Sequence, residues 1–359
     1  MKISFLAPSL GSGGAERTIV YLSSFFAKAD HDVEIVNISS TIFYELDEKV
    51  KYTTLGVNSS ANNIAERFIN IAKRFLRTNS HIKQTNPDVV FCMLPETAKF
   101  VLSLHKKGKF VLITSERNNP ELDGDNELKK KVFSHSDGIV FQTLRAKEWY
   151  PQKIQQKGKV IHNAVGNELV CMVPNITSRK KVISAVGRLT AQKDYPTLFV
   201  AFNKVLEKHP EFVLEIFGNG PDEEKLKSLA KNFGLDKNIK FMGTHKDAII
   251  QISTSACYVM SSIYEGMPNA LMEAMAVGLP CVSTDCPNGP AELIENGKNG
   301  MLVPVGDADA LADAIIIMIE NPTFAEECGK NAKKILDTHS VEIIANQYLD
   351  YIKSVVEQR

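Results

Sequence analysis

The sequence has few of the features that mark a secreted, metal-binding or membrane-spanning protein. None of its six cysteines form a Cys-x-x-Cys pair and its eight histidines form no metal-spaced cluster, which argues against a disulfide framework or a zinc site. The apolar run at 314–319 is far shorter than the roughly 20 residues that span a bilayer. No apolar segment typical of a signal peptide follows Met1 and Lys2. We therefore expect reduced thiols in a soluble or peripheral protein.

Net charge is also lacking, because 42 basic and 42 acidic side chains cancel, and this argues against a general nucleic-acid binder. The balance hides an asymmetry, since residues 1–168 hold 23 basic and 18 acidic side chains. This basic excess fits an anionic membrane or an anionic acceptor as partner, and it fits equally a solvated face. The basic residues between positions 51 and 159 include Arg67, Lys73, Arg74, Arg77, Lys106, Lys107, Lys109 and Lys129–Lys131.

Short apolar strands alternate with helices in both halves of the chain, which is typical of α/β folds with parallel sheets wound on both sides. The predicted strands are 3–6, 33–38, 89–92, 110–113, 138–141, 160–161, 182–186, 212–217, 239–242, 256–260, 281–283 and 301–303. The predicted helices are 15–27, 63–77, 128–134, 195–208, 222–233, 247–253, 269–277, 309–319 and 324–336.

The length of 359 residues suits two domains. The polar, turn-rich stretch 166–179 predicts a boundary between a first domain, 1–166, and a second, 167–340. We expect the last helix, about 341–359, to pack back on the first domain. Two doubly wound, Rossmann-like domains would face each other across a cleft at the carboxyl ends of their strands, where ligands of such sheets bind.

Two glutamates flank a predicted strand–loop–helix unit in the second half. Glu265 lies in the loop and Glu273 one turn into the helix, with Pro268 near the helix start and Asn269 as the expected N-cap. A helix N-terminus favours phosphate, and a carboxylate accepts hydrogen bonds from hydroxyl groups. A sugar nucleotide combines both kinds of group. Two glutamates around a loop also occur by chance in many soluble helices.

Arg188 and Lys193 follow the first strand of the second half. Both suit phosphate, and a charge-assisted hydrogen bond contributes roughly 1.5–3 kcal/mol, so the pair could stabilise a diphosphate leaving group. An exposed basic turn is the alternative. Small-residue turns that let a ligand approach the backbone follow two other strands, at Gly13-Gly14 and at Gly218-Asn219-Gly220. The Asp-x-Asp motifs at 123–125 and 307–309 follow no convincing apolar strand, so we predict a turn and a helix start there and no metal site.

In combination these motifs resemble a GT-B-type retaining glycosyltransferase of family 4, of the bacterial surface-polysaccharide type, over nearly the whole chain. The residues that carry the resemblance are Gly13–Arg17, Ile161–Asn163, Gly187–Leu189 with Lys193, Phe217–Gly220, and Glu265 with Glu273. The resemblance implies a GT-B architecture and retaining, metal-independent transfer from a nucleotide-activated sugar, without a cofactor.

In that family, the residue matching Glu265 contacts the donor hexose and the one matching Glu273 contacts the ribose. The residues matching Arg188 and Lys193 hold the diphosphate, which assigns them, with Glu265, to the catalytic set. The remaining donor contacts implied by the resemblance are Gly13, Gly14, Gly218, Asn219, Gly220, Gly266, Met267, Asn269, Ala270 and Leu271, with Pro268 in the same loop but without an N–H to offer.

The sequence departs from the family at Ser115-Glu116-Arg117-Asn118, where many relatives have His in place of Arg117. Arginine cannot serve as a base at neutral pH, so we expect the departing diphosphate oxygen to take the acceptor's proton. Arg117 stays in the predicted catalytic set as a group that binds donor or acceptor.

The expected activity is transfer of a hexose or N-acetylhexosamine from a UDP-sugar to a saccharide or lipid-linked saccharide, in lipopolysaccharide, O-antigen or capsule synthesis. The expected location is the cytoplasm, either free or peripheral on the inner membrane, with the basic domain toward an anionic surface. A UDP-sugar epimerase of the same architecture and a non-catalytic nucleotide-sugar binding module remain as alternatives.

Overall fold

The computed structural model describes residues 1–11, 13–57, 63–122, 126–166, 168–173 and 178–359. These residues form two compact units: an N-terminal unit of Met1–Ala164 with Val341–Arg359, and a C-terminal unit of Val165–Ser340. Parts of the predicted boundary, residues 167 and 174–177, lie outside the described residues, as does the first Asp-x-Asp motif, 123–125. In each unit the described strands form a parallel sheet, which confirms the predicted α/β class with two Rossmann-like domains.

The described strands of the N-terminal unit form one sheet in the order β3-β2-β1-β4-β5-β6-β7. They are β1 (Lys2–Ala7), β2 (Asp32–Asn37), β3 (Lys51–Thr54), β4 (Val89–Cys92), β5 (Val111–Glu116), β6 (Gly138–Phe141) and β7 (Gly158–Val160). The strands buried on both faces read as apolar runs, and the sequence predicted them. Strand β3 was missed because it lies at the sheet edge, and its residues, Lys-Tyr-Thr-Thr, are at least partly exposed.

Helices cover this sheet. They are α1 (Gly14–Lys28), α2 (Ile64–Thr85), α3 (Pro95–Ala98), α4 (Leu102–His105), α5 (Glu127–His135), α6 (Leu144–Glu148), α7 (Gln152–Gln155) and the final helix α17 (Val341–Glu357), which packs on α1. Helix α2 begins after Asn63, whose side chain accepts from the Glu66 N–H at 2.8 Å. It continues past the predicted end at Arg77, because Thr78, Asn79 and Ile82 are buried against the unit.

In the C-terminal unit, the described strands form a second sheet in the order β10-β9-β8-β11-β12-β13. They are β8 (Lys180–Val186), β9 (Val213–Phe217), β10 (Ile239–Gly243), β11 (Ser255–Met260), β12 (Cys281–Thr284) and β13 (Met301–Val303). The helices are α8 (Glu168–Cys171), α9 (Tyr195–Lys208), α10 (Glu223–Asn232), α11 (Ala248–Ile252), α12 (Asn269–Ala276), α13 (Pro290–Leu293), α14 (Ala308–Glu320), α15 (Pro322–Ala332) and α16 (Leu336–His339), with 3-10 turns at Ala191–Lys193 and Lys333–Ile335.

The two sheets have the same winding. In each, the chain runs outward from a central strand to one edge, then crosses over and builds the other edge, so the order reverses between β1 and β4 and between β8 and β11. In open α/β sheets, ligands bind beyond the carboxyl ends of the strands at such a reversal. A ligand-binding site is therefore expected in the loops after β1, β8 and β11.

One member of the predicted basic face is not on the surface. Lys129 is buried, and its ammonium lies 2.9 Å from both carboxylate oxygens of Glu116. The Tyr150 hydroxyl also donates to this carboxylate. The prediction that Lys129 contributes to a basic surface is wrong, because the buried Glu116 needs a partner within the unit. Among the described residues, no helix has both the length and the apolar character needed to cross a membrane.

Candidate functional site

Strands β8 and β11 bring a lysine and a glutamate together at the reversal point of the C-terminal sheet. Lys193 lies in the 3-10 turn that follows β8, and Glu265 lies in the loop that follows β11. The Lys193 Nζ atom is 2.6 Å from Glu265 Oε1, and the two side chains are only 18% and 8% exposed. A buried pair of this kind has strong mutual attraction, because little water screens it.

The Glu265 carboxylate has further donors that the sequence analysis missed. The Ser262 hydroxyl donates to Oε1 at 2.6 Å, and the Gln192 amide donates to Oε2 at 3.4 Å. The Glu265 N–H donates to the carbonyl of Pro287 at 3.2 Å, in the loop after β12. The available signal was proximity in sequence, since Gln192 precedes Lys193 and Ser262 stands three residues before Glu265. These contacts hold the carboxylate in one orientation.

The Tyr195 hydroxyl and the Cys286 thiol, which lie near Glu265, keep their protons. Burial raises the pKa of the Tyr195 hydroxyl, and the charge of Glu265 raises it further. Burial, followed by the charge of Glu265, also raises the pKa of the Cys286 thiol to about 12. The Tyr195 hydroxyl instead donates to the Gly187 carbonyl at 3.1 Å and so fixes the start of the loop after β8.

Arg188 differs from Lys193 in its surroundings. Its side chain is exposed, and within the described chain its guanidinium has no hydrogen bond or ion pair. The backbone of its loop is fixed, since the Thr190 N–H donates to the Arg188 carbonyl at 2.9 Å. The loop after β8 therefore presents one cation to solvent and directs the other, Lys193, to Glu265.

The glycines of the small-residue turn support this loop. Gly218 has a φ of +138°, and a Cβ there would lie 2.0 Å from the Gly187 carbonyl oxygen. At Gly220 a Cβ would lie 2.2 Å from the Leu189 carbonyl oxygen. The Leu189 N–H donates to the backbone carbonyl of Asn219 at 2.9 Å. Gly218, Asn219 and Gly220 thus lie against the loop of Arg188, and their predicted contact with a donor stays a prediction.

Helix α12 begins at Asn269, so the prediction that Asn269 is the N-cap is wrong. Pro268 takes that position in extended conformation, and its carbonyl accepts from the Met272 N–H at 3.1 Å. Hydrogen bonding therefore starts one residue earlier than predicted. N–H groups in a first helical turn lack partners within the helix, which is the property expected to attract phosphate. Glu273 is buried in this helix.

The loop before α12 packs on the next loop of the sheet. Gly289 has a φ of +97°, and a Cβ there would lie 2.5 Å from the Pro268 ring and 2.8 Å from the Gly266 carbonyl oxygen. A side chain at position 289 would push the loop of Gly266 and Met267 away. The remaining predicted donor contacts in this loop and in the first turn of α12 include Ala270 and Leu271, of which Leu271 is fully buried.

In the N-terminal unit, the glycine turn after β1 lies at the start of α1. Gly13 is the N-cap in extended conformation, and Gly14 is the first helical residue. A Cβ at Gly13 would lie 2.2 Å from the Glu16 Oε2 atom, so the Glu16 carboxylate lies over this turn. A carboxylate at this position opposes the binding of a second anion at the turn, and the predicted contact of Gly13 and Gly14 with a donor stays a prediction.

Arg117 joins three elements of the N-terminal unit. Its Nη2 donates to Thr18 Oγ1 in α1 and to Asn163 Oδ1 after β7, both at 2.8 Å. Its Nη1 donates to the Tyr348 hydroxyl in α17 at 3.3 Å. Burial lowers the pKa of the guanidinium, while Tyr348 and Glu16 act in the opposite direction. Thr18 and Tyr348 were not predicted as partners of Arg117, and the catalytic role of Arg117 stays a prediction.

Asp307 has a structural role. Its side chain caps α14 by accepting from the Ala310 N–H at 2.9 Å, which confirms that the second Asp-x-Asp motif marks a helix start. Among the residues that the structure describes, no three His, Cys, Asp or Glu side chains form a metal-binding group.

The chain was compared with known proteins. Residues 173–335 match the family model described as "Glycosyl transferases group 1". A Campylobacter jejuni GalNAc-α-(1→4)-GalNAc-α-(1→3)-diNAcBac-PP-undecaprenol α-1,4-N-acetyl-D-galactosaminyltransferase is 25% identical, with 99% of both chains covered. A lipopolysaccharide 1,6-galactosyltransferase of Salmonella typhimurium is 26% identical, with 86% of this chain and 87% of the relative covered.

Solved structures share the fold. Anabaena Alr3699/HepE in complex with UDP has a TM-score of 0.81 at 16% identity, and the match covers 99% of this chain and 100% of that one. The lipopolysaccharide outer core galactosyltransferase WaaB has a TM-score of 0.75 at 23% identity, with 99% of each chain covered.

Proposed function

We propose a reaction for this chain from the premise that it is a glycosyltransferase with two Rossmann-like domains of the GT-B architecture. It transfers a hexose or N-acetylhexosamine from a UDP-sugar to a saccharide or lipid-linked saccharide acceptor. The anomeric configuration is retained and no metal or cofactor is required. The reaction belongs to polysaccharide biosynthesis, such as that of lipopolysaccharide, O-antigen or capsule.

The observation that carries this proposal is the ion pair between Lys193 and Glu265 at the reversal of the C-terminal sheet. A cation held at that point can bind the diphosphate of a donor, and a fixed carboxylate beside it can accept hydrogen bonds from sugar hydroxyls. Arg188, exposed on the same loop, supplies a second cation. Two such cations make a divalent metal unnecessary for neutralising a diphosphate.

In the proposed reaction, the bond between the anomeric carbon and the β-phosphate oxygen breaks while the acceptor oxygen bonds to that carbon from the same face. The acceptor's proton passes to the departing phosphate oxygen, and UDP leaves. Lys193 and Arg188 stabilise the negative charge that develops on this oxygen. Glu265 orients the hexose, and Glu273 with the first turn of α12 binds the nucleoside end. Electrostatic stabilisation of this kind is commonly the largest single contribution to catalysis.

The choice of donor and acceptor is supported by the names of similar proteins. Anabaena Alr3699/HepE was crystallised with UDP and with UDP-glucose, and the Campylobacter relative is named for a lipid-linked acceptor. The proposed location is the cytoplasm, including the cytoplasmic face of the inner membrane, where a lipid-linked acceptor is presented. The basic excess of residues 1–168 suits contact with an anionic surface.

Thermal unfolding with a panel of nucleotide sugars tests the donor site directly, because a ligand bound only by the native state raises the melting temperature. UDP and at least one UDP-sugar are expected to stabilise the wild type in EDTA, and Lys193→Ala is expected to abolish most of the shift. An equal shift in the wild type and in the double variant Arg188→Ala with Lys193→Ala would overturn the assignment. The matched control is Lys181→Ala, which removes an exposed lysine of β8 that pairs with Glu211.

Turnover then separates the transferase from its alternatives. Product with the same anomeric configuration as the donor, formed in EDTA, is the expected result, and NMR of the anomeric proton measures it. Strict dependence on added magnesium or manganese would contradict the metal-independent reaction. Conversion of UDP-N-acetylglucosamine to its epimer without an acceptor would instead favour an epimerase.

A further inference from the structure

The first turns of helix α2 direct their apolar side chains to solvent. Ile64 is 75% exposed, Phe68 69% and Leu76 66%, and three more apolar residues of these turns are also exposed: Ile69, Ile71 and Phe75. Positions 64, 68, 71 and 75 lie on one line of a helix, and positions 69 and 76 lie on a second line about a third of a turn away, so the six side chains form one broad apolar face. We call Ile64, Phe68, Ile69, Ile71, Phe75 and Leu76 the outer stripe.

Three polar residues of the same turns are better covered than the outer stripe, while Arg67 and Lys73 are exposed as the stripe is. Glu66, Asn70 and Arg74, which recur every four residues, are only half-exposed. A helix on the surface of a water-soluble protein normally has the opposite orientation, with its apolar side inward and its polar side outward. The inversion indicates that the outer stripe faces an apolar environment when the protein works.

The orientation of α2 is fixed by the second half of the helix. Ile82 and Thr78 are buried, and the Asn79 amide donates to the Phe100 carbonyl at 2.5 Å. Arg77 donates to the carbonyl of Leu55 at 2.6 Å, and His81 lies 2.9 Å from Glu34. The helix therefore cannot simply rotate to bury its outer stripe without breaking these contacts.

Positive charge surrounds the outer stripe. Helix α2 contains five Lys and Arg residues and a single acidic residue, Glu66. A depression of about 470 Å³ beside the helix is lined by Phe75, Leu76 and Leu104 together with the lysines Lys83 and Lys107. An apolar stripe flanked by cations is the composition of a helix that lies in the surface of an anionic bilayer.

We propose that the outer stripe of α2 inserts into the headgroup region of an anionic lipid bilayer, while the cations beside it, Lys83 and Lys107 among them, bind lipid phosphates. A second copy of this chain is a poorer occupant, because two faces with the same positive charge would repel each other. This inference deepens the proposed function by naming the element that contacts the membrane. Its test does not depend on the transfer reaction.

Flotation with vesicles measures the binding. The wild type is expected to float with vesicles of phosphatidylglycerol and phosphatidylcholine, more weakly as salt rises, and not with phosphatidylcholine alone. Phe68→Ser combined with Leu76→Ser is expected to lower the partition coefficient at least about tenfold, because both apolar side chains leave the bilayer. The matched control, Phe233→Ser with Ile317→Ser, removes two exposed apolar residues of the C-terminal unit and is expected to change nothing.

A tryptophan probe locates the contact. The chain has one tryptophan, so Ile71→Trp in a Trp149→Phe background places the only indole in the outer stripe. Its emission is expected to shift to the blue on addition of anionic vesicles. Emission that stays that of a water-exposed indole, or flotation unchanged by Phe68→Ser with Leu76→Ser, would overturn the proposal.

Binding of a second copy of the chain to the outer stripe would give a different experimental result. A dimer in light scattering that dissociates in Phe68→Ser with Leu76→Ser would show that a second copy covers the stripe, and this too would overturn the proposal. Melting with UDP is measured on the same variants. If UDP still raises the melting temperature of a variant that no longer floats, the result supports the membrane role. If UDP does not raise the melting temperature of the wild type, the result contradicts the proposed donor site and leaves the flotation result standing.

Discussion

The two units hold the cations near the carboxyl ends of their sheets in different ways. In the N-terminal unit, Arg117 donates to the neutral oxygens of Thr18, Asn163 and Tyr348, and so joins α1, the segment after β7 and α17. In the C-terminal unit, Lys193 pairs with a carboxylate whose other contacts come from the same two loops. A cation bound to neutral groups of three elements holds a domain together. A cation paired at a strand end remains able to exchange its partner for a phosphate.

The largest effect expected from this difference is on catalysis by Lys193→Ala. Loss of one group that stabilises a leaving group typically costs about 3–4 kcal/mol of barrier, so turnover should fall about a hundredfold or more. The melting temperature should fall as well, because the variant leaves the buried Glu265 carboxylate without its cationic partner, so turnover is compared at a temperature where both proteins are folded. Steady-state kinetics with Lys181→Ala as control measure the effect. Turnover within a few-fold of wild type would remove Lys193 from the catalytic set.

Arg117→Met is expected to act mainly on stability. It leaves the Thr18, Asn163 and Tyr348 oxygens without their cationic donor, and unsatisfied groups of this kind cost about 1–3 kcal/mol each when buried. We expect the free energy of unfolding to fall by about 2–4 kcal/mol, measured by urea denaturation. Arg145→Met, which breaks only an exposed pair with Glu121, is the control and should change little.

A comparison of Arg117→Met with the wild type under conditions where both are folded then tests the predicted catalytic role. If turnover falls a hundredfold while UDP binding is normal, Arg117 acts on the reaction as well as on the fold. If turnover is near normal, the sequence-based assignment of Arg117 to the catalytic set is wrong.

Ser262→Ala should produce a smaller effect on the same site. The variant removes one of the donors to Glu265, at 2.6 Å, and leaves Lys193 in place. A hydrogen bond to a charged group contributes about 1.5–3 kcal/mol, part of which Lys193 and Gln192 retain, so about a fivefold to tenfold loss in kcat/KM is expected. Ser228→Ala, on the exposed face of α10, is the control. An unchanged kcat/KM would show that Ser262 does not position Glu265.

The smallest effect concerns a carboxylate that has no part in the proposed chemistry. Burial raises the pKa of Glu34, but hydrogen bonds from His81 and Thr53 outweigh it and leave the pKa below the ordinary value of 4.5. A carboxylate whose pKa is lower in the folded than in the unfolded state stabilises the protein at any pH above its unfolded-state pKa. This stabilisation is lost as the pH falls through the folded-state pKa.

Glu34→Gln should therefore be less stable than wild type at pH 7, and the difference should shrink below about pH 4.5. Urea denaturation between pH 3 and pH 7 measures it. A difference that grows on acidification would contradict the assignment of the pKa.

Much of the architecture could be predicted from the sequence because parallel strands are buried on both faces. Strand β4 and residues 256–260 of β11 are continuous apolar runs, and the alternation with helices fixes the fold class. Strand β3 was not predicted, because an edge strand whose residues are partly exposed has no such apolar run. Helix α2 was predicted too short, because its last turns are mostly polar and only the tertiary structure buries Thr78, Asn79 and Ile82.

The candidate site divides in the same way. Arg188, Lys193 and Glu265 could be named in advance because charged residues directly after buried strands are conspicuous. The activity expected from the resemblance, a glycosyltransferase, is confirmed by the family model and by the named relatives. The signal for Gln192 and Ser262 was their proximity in sequence to Lys193 and Glu265, which is too weak to single them out because other polar loop residues share it. Lys129 looked like its exposed neighbours.

The sequence by itself determined that this chain builds two parallel sheets and that positive charge follows the first strand of the second one, because hydrophobic pattern and chain direction are local properties. Only the tertiary structure decided which charges meet. Lys193 faces Glu265, Lys129 faces Glu116 and Arg117 faces Tyr348, although up to 231 positions separate the partners. The winding of each sheet sets such distances, and a burial cost then forces each charge to find a partner.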